Sequence, residues 1–111
     1  MLTLIGRTCG LNTDSYTPAD GRTRWTHRLS VATERGIVMV LIPHELYEQL
    51  AATQDGHTVF QFGTTVELDC TPAINFEYGK PKDPALQAED VLRIEAAPDL
   101  AQPVGNGAKK G

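Results

Sequence analysis

Leu2–Arg35 reads LTLIGRTCGLNTDSYTPADGRTRWTHRLSVATER, and the architecture is decided in this stretch. Leu2 to Cys9 is apolar and β-prone with Gly6 inside it, and a glycine within a strand marks a bulge or a sharp bend at a barrel corner. Asn12 to Arg22 is rich in Asn, Asp, Ser, Pro and Gly and reads as a loop, with Pro18-Ala-Asp-Gly21 as its turn. Thr23 to Glu34 then alternates. Trp25, His27, Leu29 and Val31 fall on one face, and Arg24, Thr26, Arg28 and Ser30 on the other. The stretch also holds the single tryptophan and five of the ten basic residues.

Outward from this block, Glu34-Arg35-Gly36 is a tight turn into Ile37–Ile42, a continuously apolar run expected to be the most buried strand. Pro43 closes that strand and opens a helix to Ala52, with Leu46, Tyr47 and Leu50 on its inner face and Asp55-Gly56 as its stop. Thr58 to Phe62 reads as a short β-like piece. Thr65 to Thr71 is a half-buried strand, bent or broken at Pro72 and continued in extended form from Ile74 to Tyr78. Gly79 to Pro84 reads as a loop and Glu89 to Ala97 as the last strand. Pro98 to Gly111 is too poor in apolar residues to fold and is expected to be a flexible tail. The order is three strands, one helix and two strands. This is the order of the five-stranded OB barrel (β-β-β-α-β-β), whose closure removes the exposed edges of a flat sheet. The expected division is therefore an OB-fold domain over 1–97 and a tail over 98–111.

With 41% hydrophobic and 22% charged residues, the chain is sized for one soluble domain. No apolar run approaches the roughly 20 residues of a membrane span, and the N-terminus has no secretory pattern, so a cytoplasmic, membrane-free location is expected. Cys9 and Cys70 lack metal-ligand spacing and are expected as free thiols. His27, His44 and His57 show no zinc pattern, so no cofactor or metal is called for. The net charge of −4 argues against a generally basic nucleic-acid binder. Its distribution is uneven, however: residues 1–35 carry a net +2 and residues 36–111 a net −6. A local basic stripe can hold phosphates on an acidic protein.

Candidate binding residues follow from that stripe. Trp25 stands at the head of the second strand, where it either stacks on a base or, by its alternation with Leu29 and Val31, joins the core. Arg24 and Arg28 form an outward row of phosphate-capable donors that reads equally as a solvated face, and Arg22 and Arg35 flank the same hairpin. Phe76, Tyr78, Lys80 and Lys82 interleave rings and cations near the last turn, in one of the two loops that OB barrels use to grip ligands. Tyr16 offers a further ring in the first loop. Phe60 and Phe62 fit the core or an oligomer contact. No phosphate loop, nucleophile elbow or paired-histidine site is present, so the chain reads as a binding module and not an enzyme.

Leu4-Ile5-Gly6-Arg7, Gly10, Tyr16-Thr-Pro18, Gly21 and Leu29-Ser-Val-Ala-Thr33 together resemble the opening of bacterial single-stranded DNA-binding proteins. Weaker similarity runs on through Val40-Leu-Ile42, Leu46 to Leu50, Gly63–Leu68 and Val91–Ile94. The resemblance implies an OB barrel that coats single-stranded DNA with little sequence preference in replication, recombination or DNA transfer, and that works as a homo-oligomer. DNA and RNA are not told apart by these residues. The chain departs from the family in three places. Glu34-Arg35-Gly36 replaces its long basic hairpin, Ile37-Val-Met-Val40 replaces its Trp-x-x-Val entry, and the C-terminus, Ala108-Lys-Lys-Gly111, lacks the acidic tip that recruits partners. With the acidic balance, these departures leave a second reading, an OB-fold protein-interaction module of a replication or mobile-element assembly.

Overall fold

Gly6 sits where the first strand passes from one neighbour to another, and a side chain there has no room. A Cβ would lie 2.4 Å from the Ala32 carbonyl oxygen and 2.7 Å from Val31 Cγ1. The computed structural model describes residues 1–77 and 80–97; Tyr78 and the expected tail over 98–111 lie outside them. The elements are β1 (Leu2–Tyr16), β2 (Arg24–Thr33), β3 (Gly36–Ile42), α1 (His44–Ala51), α2 (Gln54–His57), a 3-10 turn (Thr58–Phe60), β4 (Thr65–Glu77) and β5 (Lys80–Glu95). The strands close into a barrel in the order β1-β2-β3-β5-β4. This is the OB barrel expected from the element order. β1 makes closure possible: Leu2–Arg7 pairs antiparallel with β4 and Arg7–Tyr16 with β2, the change of partner falling at the Gly6 corner.

The core is the inner face of this cylinder: Leu29, Val31, Val40, Ile42, Val66, Leu68, Cys70 and Ala88 from the strands, capped by Leu50 of α1 and Val59 of the 3-10 turn. Burial pushes the Cys70 thiol up to about 11, which keeps it protonated and inert at neutral pH. Both cysteines are free.

Several local expectations are corrected. β1 does not stop at Cys9. A bulge between Thr8 and Leu11, with Gly10 at φ 126°, carries it on to Tyr16. Residues 12–16 look loop-like because they form an exposed ribbon with β2 and have no buried face to alternate against. Likewise 80–84 is strand and not loop, since β4 and β5 continue as a paired ribbon past the barrel. Pro81 and Pro84 are tolerated because among the described residues this part of β5 pairs only with β4, leaving an edge that needs no donor. Thr58–Phe60 is helical, not β-like. Thr53 caps α2 by accepting the Gly56 N–H at 2.9 Å, and the chain winds on from there. β3 is less buried than its composition suggests: Val40 and Ile42 enter the core, while Ile37 is 71% exposed. Its contact with β5 is parallel and short, Val40 with Leu86 and Leu41 with Gln87, so among the described residues Gly36–Met39 pairs on the β2 side alone.

The segment that leads into β4 is held by one buried threonine. Thr8 N–H donates to the Thr64 carbonyl (2.8 Å) and Gly63 N–H donates to the Thr8 carbonyl (2.7 Å). The Thr8 hydroxyl donates to the Gln61 carbonyl and accepts the Thr64 N–H at 3.1 Å. Thr8→Val keeps the shape but strands a buried N–H and a carbonyl. The expected cost is about 2 kcal/mol, read as a lower urea midpoint at unchanged m-value. A variant as stable as the parent contradicts this role.

Candidate nucleic-acid interface

The β1–β2 ribbon carries the site, and its register sorts the candidate residues onto two faces. Ser15 opposes Trp25 and Thr13 opposes His27, so these four share the face that continues into the core. Tyr16 opposes Arg24, Asp14 opposes Thr26 and Asn12 opposes Arg28 on the other face.

Trp25 has the inward parity of Leu29 and Val31 but lies beyond the barrel's end, which leaves it 48% exposed. Below it, His27 is buried and His44 stands at the first position of α1. The facing ring nitrogens, His27 Nε2 and His44 Nδ1, are 2.9 Å apart, the ring centroids 5.1 Å apart and the planes within 10°. The two imidazoles therefore lie edge to edge in one plane. Trp25 is parallel to them, 5.6 Å from His44 and 6.5 Å from His27. Tyr47 lies flat against His27 at 3.9 Å, with Phe60 5.0 Å beyond. The indole is thus held in orientation by a parallel array of rings and still presents its free surface to solvent, the geometry that base stacking needs.

Hydrogen bonds run through the pair in one direction. The Thr13 hydroxyl lies 3.0 Å from His27 Nδ1, and His44 Nε2 lies 3.4 Å from the Glu48 carboxylate. With one proton on each imidazole and the nearby Glu48 carboxylate favouring the His44 proton on Nε2, Thr13 donates to His27 and His27 to His44. Burial, with His44 alongside, holds the His27 imidazole below its ordinary range.

On the opposite face Arg28 is turned into the protein, its side chain only 12% exposed. Its Nε–H donates to the buried Asn75 Oδ1 (2.9 Å), and its terminal nitrogens donate to Asp14 and to the Phe76 carbonyl. Arg28 thereby joins the β1–β2 ribbon to the β4–β5 ribbon. Between them lies a cleft of about 250 Å³ lined by Asp14, Tyr16, Thr26, Arg28, Phe76 and Glu77, among others. Tyr16 and Phe76 are about half exposed on its rim.

The other candidates are distributed as follows. Arg24 pairs with Asp20 at 3.1 Å on the face opposite Trp25, and Asp20 also accepts the Arg22 backbone N–H, so the Pro18–Gly21 turn anchors the Arg24 side chain and the Arg22 main chain. Lys82 pairs with Glu77, and Lys80 lies opposite Glu77 in the ribbon. Arg35 is not brought to this group: it sits in the β2–β3 turn, about 30 Å of strand away from Trp25. Tyr78 lies outside the described residues. Sequence reasoning did not assign His44, Tyr47, Asp14 or Asn75 to the site. The available signal was the inward parity of His27, a polar ring that needs buried partners.

No protein-family model, curated protein or solved structure matches this chain. Among the described residues no helix is long and apolar enough to cross a membrane, and no cluster of metal-ligating side chains is present.

Proposed function

We propose that this chain binds single-stranded DNA with little sequence preference, through the Trp25 side of the β1–β2 ribbon, and performs no chemistry on it. The observation that carries this reading is the half-exposed indole held parallel to the His27–His44 plane. Arg22 and Arg24 lie close to it in the chain, Arg24 on the opposite face of β2, and the resemblance of Leu4–Thr33 to single-stranded DNA-binding proteins supports the same conclusion. The reading includes self-association. Among the described residues Leu2–Gly6 pairs with β4 alone, so its second backbone edge is open and Leu2 and Ile5 are exposed beside it. A second copy would cover that edge.

One observation favours the assembly-module reading: Arg24, Arg28, Lys82 and Arg93 are all ion-paired within the chain, which lowers the positive charge offered to phosphates. An oligo-dT titration followed by Trp25 fluorescence across a salt series separates the two. Single-strand binding predicts quenching, and with two or three phosphates held, log K falls against log salt with a slope of about −1.5 to −2. No quenching and no gel shift at low salt removes the proposal in favour of the assembly module.

A further inference from the structure

We infer that His27 and His44 form a binding site for a single proton beneath Trp25, and that a single strand lying on Trp25 draws that proton in. The inference rests on the single-strand reading above. The geometry specifies the stoichiometry. In the neutral pair, protons occupy His27 Nε2 and His44 Nε2, and Thr13 supplies the hydrogen to His27 Nδ1. One further proton fits without moving a ring: it enters at His27 Nδ1 and is donated to the Thr13 oxygen, whose own hydrogen turns to solvent on that exposed residue. The bridging proton can then belong to either imidazole across the 2.9 Å contact, which spreads the positive charge toward Trp25 and the Glu48 carboxylate. A second extra proton would set two N–H groups against each other in that contact and break it.

The surrounding charges favour one proton once an anion arrives. α1 presents Glu48 and Glu45, with the Tyr47 ring neutral against His27, and β5 presents Glu89 in the groove that it and His44 line. β1 contributes only the neutral Thr13. On β2, Arg24 is paired with Asp20 on the face opposite Trp25, and Arg22 belongs to the turn that precedes the strand. In the free protein, burial opposes the charged form of His27. A folded-state value below the unfolded one means that the neutral pair's contribution to stability is complete above about pH 6.5 and is lost as pH falls through the lowered value. A polyanion on the indole opposes that cost, and linkage makes the effect reciprocal: acid tightens the strand, and the strand raises the proton affinity of the pair.

Two measurements on the full chain test this, with oligo-dT chosen because thymine does not titrate in the range used. The first is Trp25 emission of the free protein from pH 7.5 to 5.5, with far-UV circular dichroism checking that the fold persists. Imidazolium quenches a neighbouring indole, so a one-proton loss of emission is expected below pH 6.5, moving to higher pH when oligo-dT is added. The second is oligo-dT affinity over the same range, expected to tighten at least about threefold, within the limit of about tenfold per pH unit for one proton. Both effects disappear in His27→Gln, with circular dichroism checking its fold, remain in His44→Gln with the charge confined to His27, and persist in His57→Gln, whose parent side chain packs on Phe60 away from the pair. Flat emission, pH-independent affinity, or a slope that survives His27→Gln overturns this inference alone. Absence of oligo-dT binding at every pH overturns the single-strand reading and this inference with it.

Discussion

Arg28→Met is expected to lower the unfolding free energy by about 3 kcal/mol. Methionine keeps most of the stem that packs between the ribbons but removes every donor. Asn75 Oδ1 is buried and accepts the Arg28 Nε–H, so it is left unpaired in a site that water does not reach. The Phe76 carbonyl and Asp14 lose partners at the same time. Asp14 itself is well exposed, and Asp14→Asn should cost less than about 1 kcal/mol, as exposed ion pairs do. Arg28→Lys should rescue little, because one ammonium cannot serve three acceptors in the plane of a guanidinium. Urea denaturation of the three variants checks this ordering. A loss below about 1 kcal/mol for Arg28→Met would show that the network contributes no more than a surface pair.

Trp25→Ala should weaken oligo-dT binding by about 5- to 150-fold, the equivalent of removing one stacked base at roughly 1–3 kcal/mol. Because Trp25 is the only tryptophan, affinity must be followed by anisotropy of a labelled oligonucleotide. Trp25→Phe should fall between parent and alanine, retaining a ring of smaller face. Stability should change little, since the indole lies outside the barrel core. Phe76→Ala is the informative partner. Phe76 lies on the Arg28 cleft, across the ribbon from Trp25, so a strand confined to the Trp25 side leaves its affinity at the parent value. Equal affinity of Trp25→Ala and parent would remove the indole from the interface.

The parts of the fold legible in the sequence are those in which burial imposes a period. Leu29 and Val31 alternate into the core, Val66, Leu68 and Cys70 do the same, and Leu46, Tyr47 and Leu50 mark the helix. The turn at Glu34–Gly36 is equally local: Thr33 Oγ1 accepts the Arg35 N–H and donates to the Gly36 carbonyl, and Gly36 takes φ 118°. The ribbons beyond the barrel leave no such trace. Residues 12–16 and 80–84 are exposed on both faces, so polar and proline-rich pairing looks like loop. The candidate site was half legible for a related reason. The residue types of Trp25, Tyr16, Arg28 and Phe76 announce themselves, but the bonds from Arg28 to Asn75 and from His27 to His44 join positions far apart in the chain, and no periodicity encodes them.

The short parallel contact between β3 and β5 has a mechanical consequence. A cylinder yields along its weakest seam, and among the described residues this one is stitched at Val40–Leu86 and Leu41–Gln87 alone, against longer antiparallel ladders elsewhere. Parting there would turn the barrel into an open sheet with β3 and β5 at its two margins, hinged along β1. Gln87 and Glu89 face His44 across the groove beside that seam, so the ring array under Trp25 rides on one lip of the opening. Arg28 on β2 reaches past β1 to Asn75 on β4 and straps the two leaves of the hinge together. The barrel is in this sense a clasp, with its catch at β3–β5 and its strap at Arg28.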